Sequence, residues 1–452
     1  MVNALAAPAP AVRSLLLDRV HSPRPVPRLA FLLSDLNGGG VQRMVMIVAD
    51  ALTRRGAEVD LLVCDPRGHL KADLPPGVRL VPLARSNPLV ARAVALGADL
   101  SGIADLARPI LTPKHASATI GHLPALASYL GSARPDCLFA ATPFMNIEAY
   151  LARRLAGVPL RLVLSERSHF SGGKARKEWR QRNLSAAMRR AYLQADAILA
   201  VSHGVAEDLA RAIRIPRSLI TTVHNPTITP DFAVRAAEGL DHPWFAPDAP
   251  PVVLGVGRVA YQKDFGTLLR AFTRLLRQRP ARLVIAGKGS ERQLSRFYAM
   301  ASGLGVREHV ELLGHVRNPL PYMMRAAVFV LSSRFEGFPN VVLEALACGT
   351  PVVSTNCPSG PHEILAGGAY GPLVPVADDA ALAHAINETL DRPPDPAILK
   401  ARAAVFDYES AIAGYAALLL GDVLEGERGT SAHSDVRLRP VPALAADEVA
   451  VS

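Results

Sequence analysis

The sequence predicts an α/β protein of two doubly wound, Rossmann-like domains facing a central cleft. Three observations carry that expectation. A chain of 452 residues is longer than one hydrophobic core ordinarily serves. Short apolar runs alternate with amphipathic helical stretches, the pattern of parallel strands joined by crossover helices. A Pro-rich interval over residues 225–251 interrupts the alternation, which then restarts.

In chain order, residues 29–34, 41–54 and 59–64 read as a β-α-β opening, and 137–141 and 161–165 as further strands. After the break come strands at 252–256, 282–286, 310–313, 328–332 and 351–354, with helices at 265–279 and 341–348. The expected organisation is a disordered tail over 1–27, a first Rossmann-like domain over 28–235, a second Rossmann-like domain over 236–406, a closing helix over 407–424 and a disordered tail over 425–452. Both tails lack periodicity, the first being rich in Ala and Pro and the second in Gly, Ser, Pro and charge.

Half of the residues are hydrophobic and 5% aromatic, and no window approaches the roughly 18 uninterrupted apolar residues of a membrane-spanning helix. Arg13 interrupts the apolar N-terminal stretch, which has no basic region ahead of it, so the reading is cytoplasmic without a cleaved signal peptide. Cys64, Cys137, Cys348 and Cys357 include no C-x-x-C pair, and buried thiols are expected in place of disulfides or zinc. A net charge of +10 implies an anionic partner, whether nucleotide phosphate, lipid headgroup or nucleic acid.

The most informative stretch runs from Ser332 to Pro351. A strand ends at Ser332, a turn carries Glu336 and Gly337, Pro339 or Asn340 opens a helix, and Gly349 closes it. Glu336 then stands beside a helix N-terminus at the C-terminal edge of a parallel sheet, where ligands bind in such folds. Free amides there suit a diphosphate, and the two carboxylates Glu336 and Glu344 suit sugar and ribose hydroxyls. A helix cap and a solvated surface group are the alternatives for these two residues.

Glu336, seven residues, Glu344 and the following A-L-A-C-G-T-P-V-V-S resemble the E-x(7)-E signature of glycosyltransferase family 4. The segment from Gly257 to Phe265 is similar to that family's G-R-L-x-x-x-K-G, with Asp264 where Gly is usual. Ala286 to Gly289 matches its A-G-x-G, and Leu313 to Val316 its L-G-x-v. The segment C-P-S-G-P-H-E-I-L from Cys357 resembles members that extend bacterial surface polysaccharides or lipid-linked oligosaccharides with UDP-sugars. The similarity spans nearly all of residues 29–420 and is strongest over 252–365.

The resemblance implies a GT-B fold and transfer of a hexose-type sugar from a UDP-sugar with retention of configuration, using no metal or other cofactor. The lack of any D-x-D sequence agrees with the metal-free expectation. By position, Arg258 and Lys263 would meet the charge on the departing diphosphate, and Glu336 would contact the donor sugar. Glu344 would accept from the ribose hydroxyls, with Gly257, Gly337, Phe338, Asn340 and Val341 also at the donor. Val316 and Arg317 correspond to a main-chain grip on the base. In the first domain, Gly38, Gly39 and Gly40 form a turn on which backbone can approach phosphate or acceptor. The family's catalytic-site histidine corresponds either to His169 or, replaced by arginine, to Arg167.

Lys174, Arg176, Lys177 and Arg180 belong to a stretch over 174–190 that reads as a basic amphipathic helix of the acceptor side. Its expected partner is anionic phospholipid at the inner membrane face or the diphosphate of a polyprenol-linked glycan, a solvated helix face being the alternative. An NAD-dependent oxidoreductase would fit G-x-G-x-x-A at Gly255 to Ala260, but no acid occurs between Asp264 and Glu291 to hold a ribose. Nucleic acid is not expected, because aromatic residues are few and no RNP-like pattern occurs. A non-catalytic sugar-nucleotide-binding relative is the remaining alternative, and Arg258, Lys263, Glu336 and Glu344 together argue against it.

Overall fold

The computed structural model describes residues 26–111, 120–172 and 184–421. In the first half, β1 (Arg28–Asp35), β2 (Glu58–Asp65), β3 (Val78–Pro82), β4 (Cys137–Ala141), β5 (Arg161–Glu166), β6 (Ala197–Ala200) and β7 (Ile220–Thr222) form one parallel sheet. Its order is β3-β2-β1-β4-β5-β6-β7. The second sheet contains β8 (Val252–Val256), β9 (Arg282–Ala286), β10 (Val310–Gly314), β11 (Val328–Leu331), β12 (Val352–Thr355) and β13 (Leu373–Val374), in the order β10-β9-β8-β11-β12-β13. Each sheet winds outward in both directions from its first strand, which places the order reversal beside β1 and β8.

Period-two alternation explains the layers. Leu29, Phe31 and Leu33 of β1 pack with the helices Gly40–Arg54 and Tyr408–Leu420, whereas Ala30 and Leu32 pack with Leu123–Ala133 and Pro143–Ala156. A fully buried Leu or Phe contributes roughly 1.5–3 kcal/mol, and a one-residue slip would turn every such side chain to the wrong face. The C-terminal helix Tyr408–Leu420 returns to the first sheet, where Tyr415 is fully buried against Phe139. The short helix Phe232–Ala236 packs on Leu320–Arg325 of the second half.

The helix expected over 265–279 is Phe265–Leu275. The amides of Gln278 and Arg279 turn back to the Leu275 carbonyl, and Pro280 keeps its predecessor out of the helical region. Strands β3, β6, β7 and β13, two to five residues long, add to those expected from sequence. Lys174, Arg176, Lys177 and Arg180 lie outside the described residues, as do nearly all of both expected tails. The described continuation of the basic stretch is the helix Ser185–Leu193, in which Arg190 pairs with the buried Asp99. Among the described residues, Pro396–Leu420 is long and apolar enough to cross a membrane. It consists of two helices, Pro396–Ala404 and Tyr408–Leu420, and Asp407 caps the second on the amide of Ser410 at 2.7 Å.

Candidate active site between the two sheets

Loops at the C-terminal ends of β1, β2 and β5 meet those after β8, β9, β10 and β11 around a cavity of about 370 Å³. Its wall brings together Arg258, Lys263, Glu336, Glu344, Gly257, Val316, Gly337, Phe338, Asn340, Val341, Gly39 and Gly40. These residues are up to about 300 positions apart in the chain, and the opposed sheet edges gather them.

The loop after β8 positions the lysine. Gly257 has φ 147°, and a Cβ there would come within 2.7 Å of Lys263 Cε, so the lysine stem lies against bare backbone. Asp264, standing where the family pattern has glycine, adopts the left-handed conformation at φ 45°. Aspartate tolerates that region when its short side chain is bonded locally. Here its carboxylate accepts from Thr267 Oγ1 at 2.8 Å and pairs with Arg334 at 2.7 Å. Lys263 Nζ then lies 2.8 Å from Glu336 Oε1, an oxygen that also accepts from Ser333 Oγ at 2.6 Å. Gln262 donates to the other carboxylate oxygen at 3.3 Å. Glu336 is 6% exposed, and the half-buried Lys263 is its counter-charge as well as a cation at the cavity wall.

Arg258, Glu344 and the unforeseen Arg43 behave differently. Among the described residues their side chains have no hydrogen-bond or ion-pair partner, and all three line the cavity. Burial pushes the Glu344 carboxyl above the usual carboxylate range, against the opposing pull of Arg43, Arg235 and Lys263. No side chain caps the helix Asn340–Cys348, so the amides of Asn340 and Val341 are left at the cavity wall while that of Val342 bonds the Pro339 carbonyl at 2.9 Å, and Gly349 ends the helix at φ 79°.

On the first-half wall, Arg167 lines the cavity and His169 does not. The Arg167 guanidinium donates to Tyr415 OH at 2.7 Å and to Asn225 Oδ1, and Asn225 in turn donates to Asn340 Oδ1 at 2.6 Å. His169 stands behind the loop, with Nδ1 2.9 Å from Ser359 Oγ and Nε2 3.4 Å from Asp208. Arg317 also differs from the expected placement with Val316. Its side chain is 86% exposed, is not among the lining groups, and pairs with Asp73 of the first half at 2.7 Å.

Sequence reasoning did not single out Arg43, His69, Asn225, Lys288 or His315, all of which line the cavity. Lys288 and His315 lie inside recognised motifs, and Arg43 lies in the first turn of the helix that Gly39 caps, so position alone offered a signal for these three. His69 had none beyond following a strand. Glu363 of the C-P-S-G-P-H-E-I-L segment clasps the halves together, lying 2.5 Å from His224 Nε2 and accepting from the His203 amide at 3.0 Å.

A family model described as Glycosyltransferase Family 4 matches residues 38–229, and one described as Glycosyl transferases group 1 matches residues 250–392. The chain belongs to glycosyltransferase family 4. Over 250 residues this family 4 chain is 30% identical to the N-acetylgalactosamine-N,N'-diacetylbacillosaminyl-diphospho-undecaprenol 4-alpha-N-acetylgalactosaminyltransferase of Campylobacter jejuni, covering 55% of the chain and 66% of that relative. It is 37% identical over 138 residues to the lipopolysaccharide core biosynthesis glycosyltransferase LpsE of Rhizobium meliloti, covering 30% of the chain and 39% of LpsE. The chain thus spans less than two thirds of the length of these curated relatives. The structure of Anabaena HepE in complex with UDP and glucose superposes with a TM-score of 0.64 at 18% identity, over 88% of this chain and 100% of that one. The shared architecture is GT-B.

Proposed function

We propose that this family 4 chain transfers a hexose-type sugar, with retention, from a UDP-sugar to a glycan or polyprenyl-diphosphate-linked glycan in cell-surface polysaccharide synthesis. One observation carries the reading: Arg258, the Lys263–Glu336 pair, Glu344 and the uncapped start of the helix Asn340–Cys348 all face one cavity. The names of the relatives support it. The Campylobacter protein is named for a diphospho-undecaprenol-linked acceptor, LpsE for lipopolysaccharide core, and HepE was solved with UDP and glucose.

In this reading the diphosphate lies against the open amides, and Arg258 and Lys263 stabilise the charge that grows on its leaving oxygen. The acceptor hydroxyl approaches the anomeric carbon on the face the phosphate leaves. Its oxygen bonds to that carbon as the carbon–phosphate-oxygen bond breaks, and its proton passes to the departing phosphate oxygen. Glu336 holds Lys263 and orients the sugar, and Arg167 takes the place of the family histidine on the opposite wall. Lys174, Arg176, Lys177 and Arg180 would hold the enzyme at the anionic inner membrane face.

The test is UDP release from a panel of UDP-sugars with glycan and polyprenyl-diphosphate-linked acceptors; no release from any combination rejects the function. Activity is expected to survive excess EDTA, and a complete loss restored by magnesium or manganese would reject the metal-free reading. Glu344→Ala is expected to weaken UDP binding by roughly 1.5–3 kcal/mol, the scale for a hydrogen bond to a charged group. Unchanged affinity in calorimetry would remove Glu344 from the ribose.

A further inference from the structure

The helices Pro88–Ala98 and Ile103–Leu111 of the first half pack on each other and turn apolar side chains outward. Pro88–Ala98 holds one charged residue, Arg92, and fully buries only Ala91 and Ala95. Leu89, Ala93 and Gly97 form an exposed row along it, since residues four apart share a helix face. Leu89 is 73% exposed and Val90 beside it 52%; just past the helix end, Leu100 is 71% and Ile103 45% exposed. A helix that is apolar on every side ordinarily lies inside a core or a membrane, and this one presents an apolar row to the outside.

Beside this hairpin lies an open groove of about 690 Å³ between the helices Ile103–Leu111, Ser185–Leu193 and His203–Ile213. Arg189, Arg190, Arg211 and Arg214 line it with a single acid, Asp105. Arg190 is committed to the buried Asp99 and also reaches Ser101 Oγ at 2.5 Å, which sets Leu100 and Ile103 at the rim of the groove. Among the described residues Arg189, Arg211 and Arg214 pair with no acid, and Arg211 donates only to the Glu207 carbonyl of its own helix at 3.2 Å. Leu193, 46% exposed, lines the same groove. Apolar side chains and unpaired guanidinium groups therefore share one face.

We infer that this face docks on an anionic phospholipid bilayer, the exposed row of Pro88–Ala98 entering the interfacial region while Arg189, Arg211 and Arg214 meet lipid phosphates. The inference rests on the membrane placement proposed above and deepens it, assigning the contact to side chains other than Lys174, Arg176, Lys177 and Arg180. A lipid–water interface matches both parts of the pattern, since acyl chains cover apolar side chains and guanidinium groups bond phosphate oxygens through two N–H donors. A second copy of the chain would bring the same cations against these, a like-charge contact that the bilayer avoids.

The test is co-sedimentation of the full chain with vesicles of phosphatidylcholine and phosphatidylglycerol, and of phosphatidylcholine alone. The unaltered chain is expected to bind the mixed vesicles more tightly than the neutral ones. Leu89→Gln with Leu100→Gln is expected to weaken binding to mixed vesicles about tenfold, and Arg189→Ser with Arg211→Ser by about the same factor. All four side chains are exposed, so both double variants should melt as the unaltered chain does. In Val90→Trp, the added fluorescence is expected to be quenched by brominated acyl chains. Wild-type vesicle binding in either double variant, or no such quenching, overturns this inference and leaves the contact to Lys174, Arg176, Lys177 and Arg180. Failure of the unaltered chain to bind any vesicle would instead overturn the membrane placement itself. A dimer in sedimentation velocity that Leu89→Gln with Leu100→Gln abolishes, in the absence of vesicle binding, would give the face to a second copy.

Discussion

Lys263→Ala is expected to lower turnover by about 10²–10³-fold while leaving UDP affinity within about tenfold of the unaltered chain. The asymmetry follows from when the charge appears: the ammonium meets negative charge that grows on the leaving oxygen, so it contributes more in the transition state than in the bound donor. The same substitution strands Glu336, which is 6% exposed and keeps only the Ser333 and Gln262 bonds. Breaking a buried pair by removing one partner costs about 3–5 kcal/mol in general, and a thermal melt should show a loss toward the lower end, since Lys263 is 17% exposed. Adding Glu336→Gln removes the stranded charge and is expected to return much of the stability without returning turnover. Steady-state kinetics and melting of the single and double variants separate the two effects, and wild-type kcat in Lys263→Ala would exclude a role at the diphosphate.

Gly337→Ala is expected to reduce kcat/KM by about 100-fold, although it adds a single methyl group. An alanine Cβ at 337 would lie 2.1 Å from the Arg167 carbonyl oxygen and 2.9 Å from Ser168 Cα, contacts with backbone that no rotamer relieves. The loop is held against the first half on both sides, since Ser202 Oγ donates to the Gly337 carbonyl at 2.8 Å and the His169 amide to that of Glu336 at 3.1 Å. The methyl group must therefore push the halves apart or shift Glu336 and Phe338, and a displacement of about 1 Å between reacting groups ordinarily costs about two orders of magnitude. UDP affinity should fall far less, because the proposed donor contacts lie mainly within the second half. Unimpaired turnover would show that the halves need not meet at Gly337 for catalysis.

Much of the second half was legible locally. Strand β11, the turn through Gly337, the helix Asn340–Cys348 and its Gly349 cap follow from apolar runs and from residues suited to helix ends. Those signals put Glu336 in the turn and Glu344 in the helix. The two-domain parallel architecture was equally plain, because alternating strands and amphipathic helices bury their apolar faces in few other ways. Sequence also marked Asp264 as the odd residue in its motif, but only its left-handed backbone and its bonds to Thr267 and Arg334 explain how it stands there.

What tertiary structure decided lies across the cleft. That Arg167 lines the cavity and His169 does not goes with their bonds to Tyr415, nearly 250 positions away, and to Asn225 and Ser359, none of which leaves a local trace beside the two residues. His69 meets Lys288 and His315 only because the end of β2 faces the ends of β9 and β10. Secondary structure arises from short-range periodicity and capping, which a sequence displays directly. The pairing of one sheet edge with another is set by packing between halves, and the side chains that meet there carry no periodicity by which to recognise one another in advance.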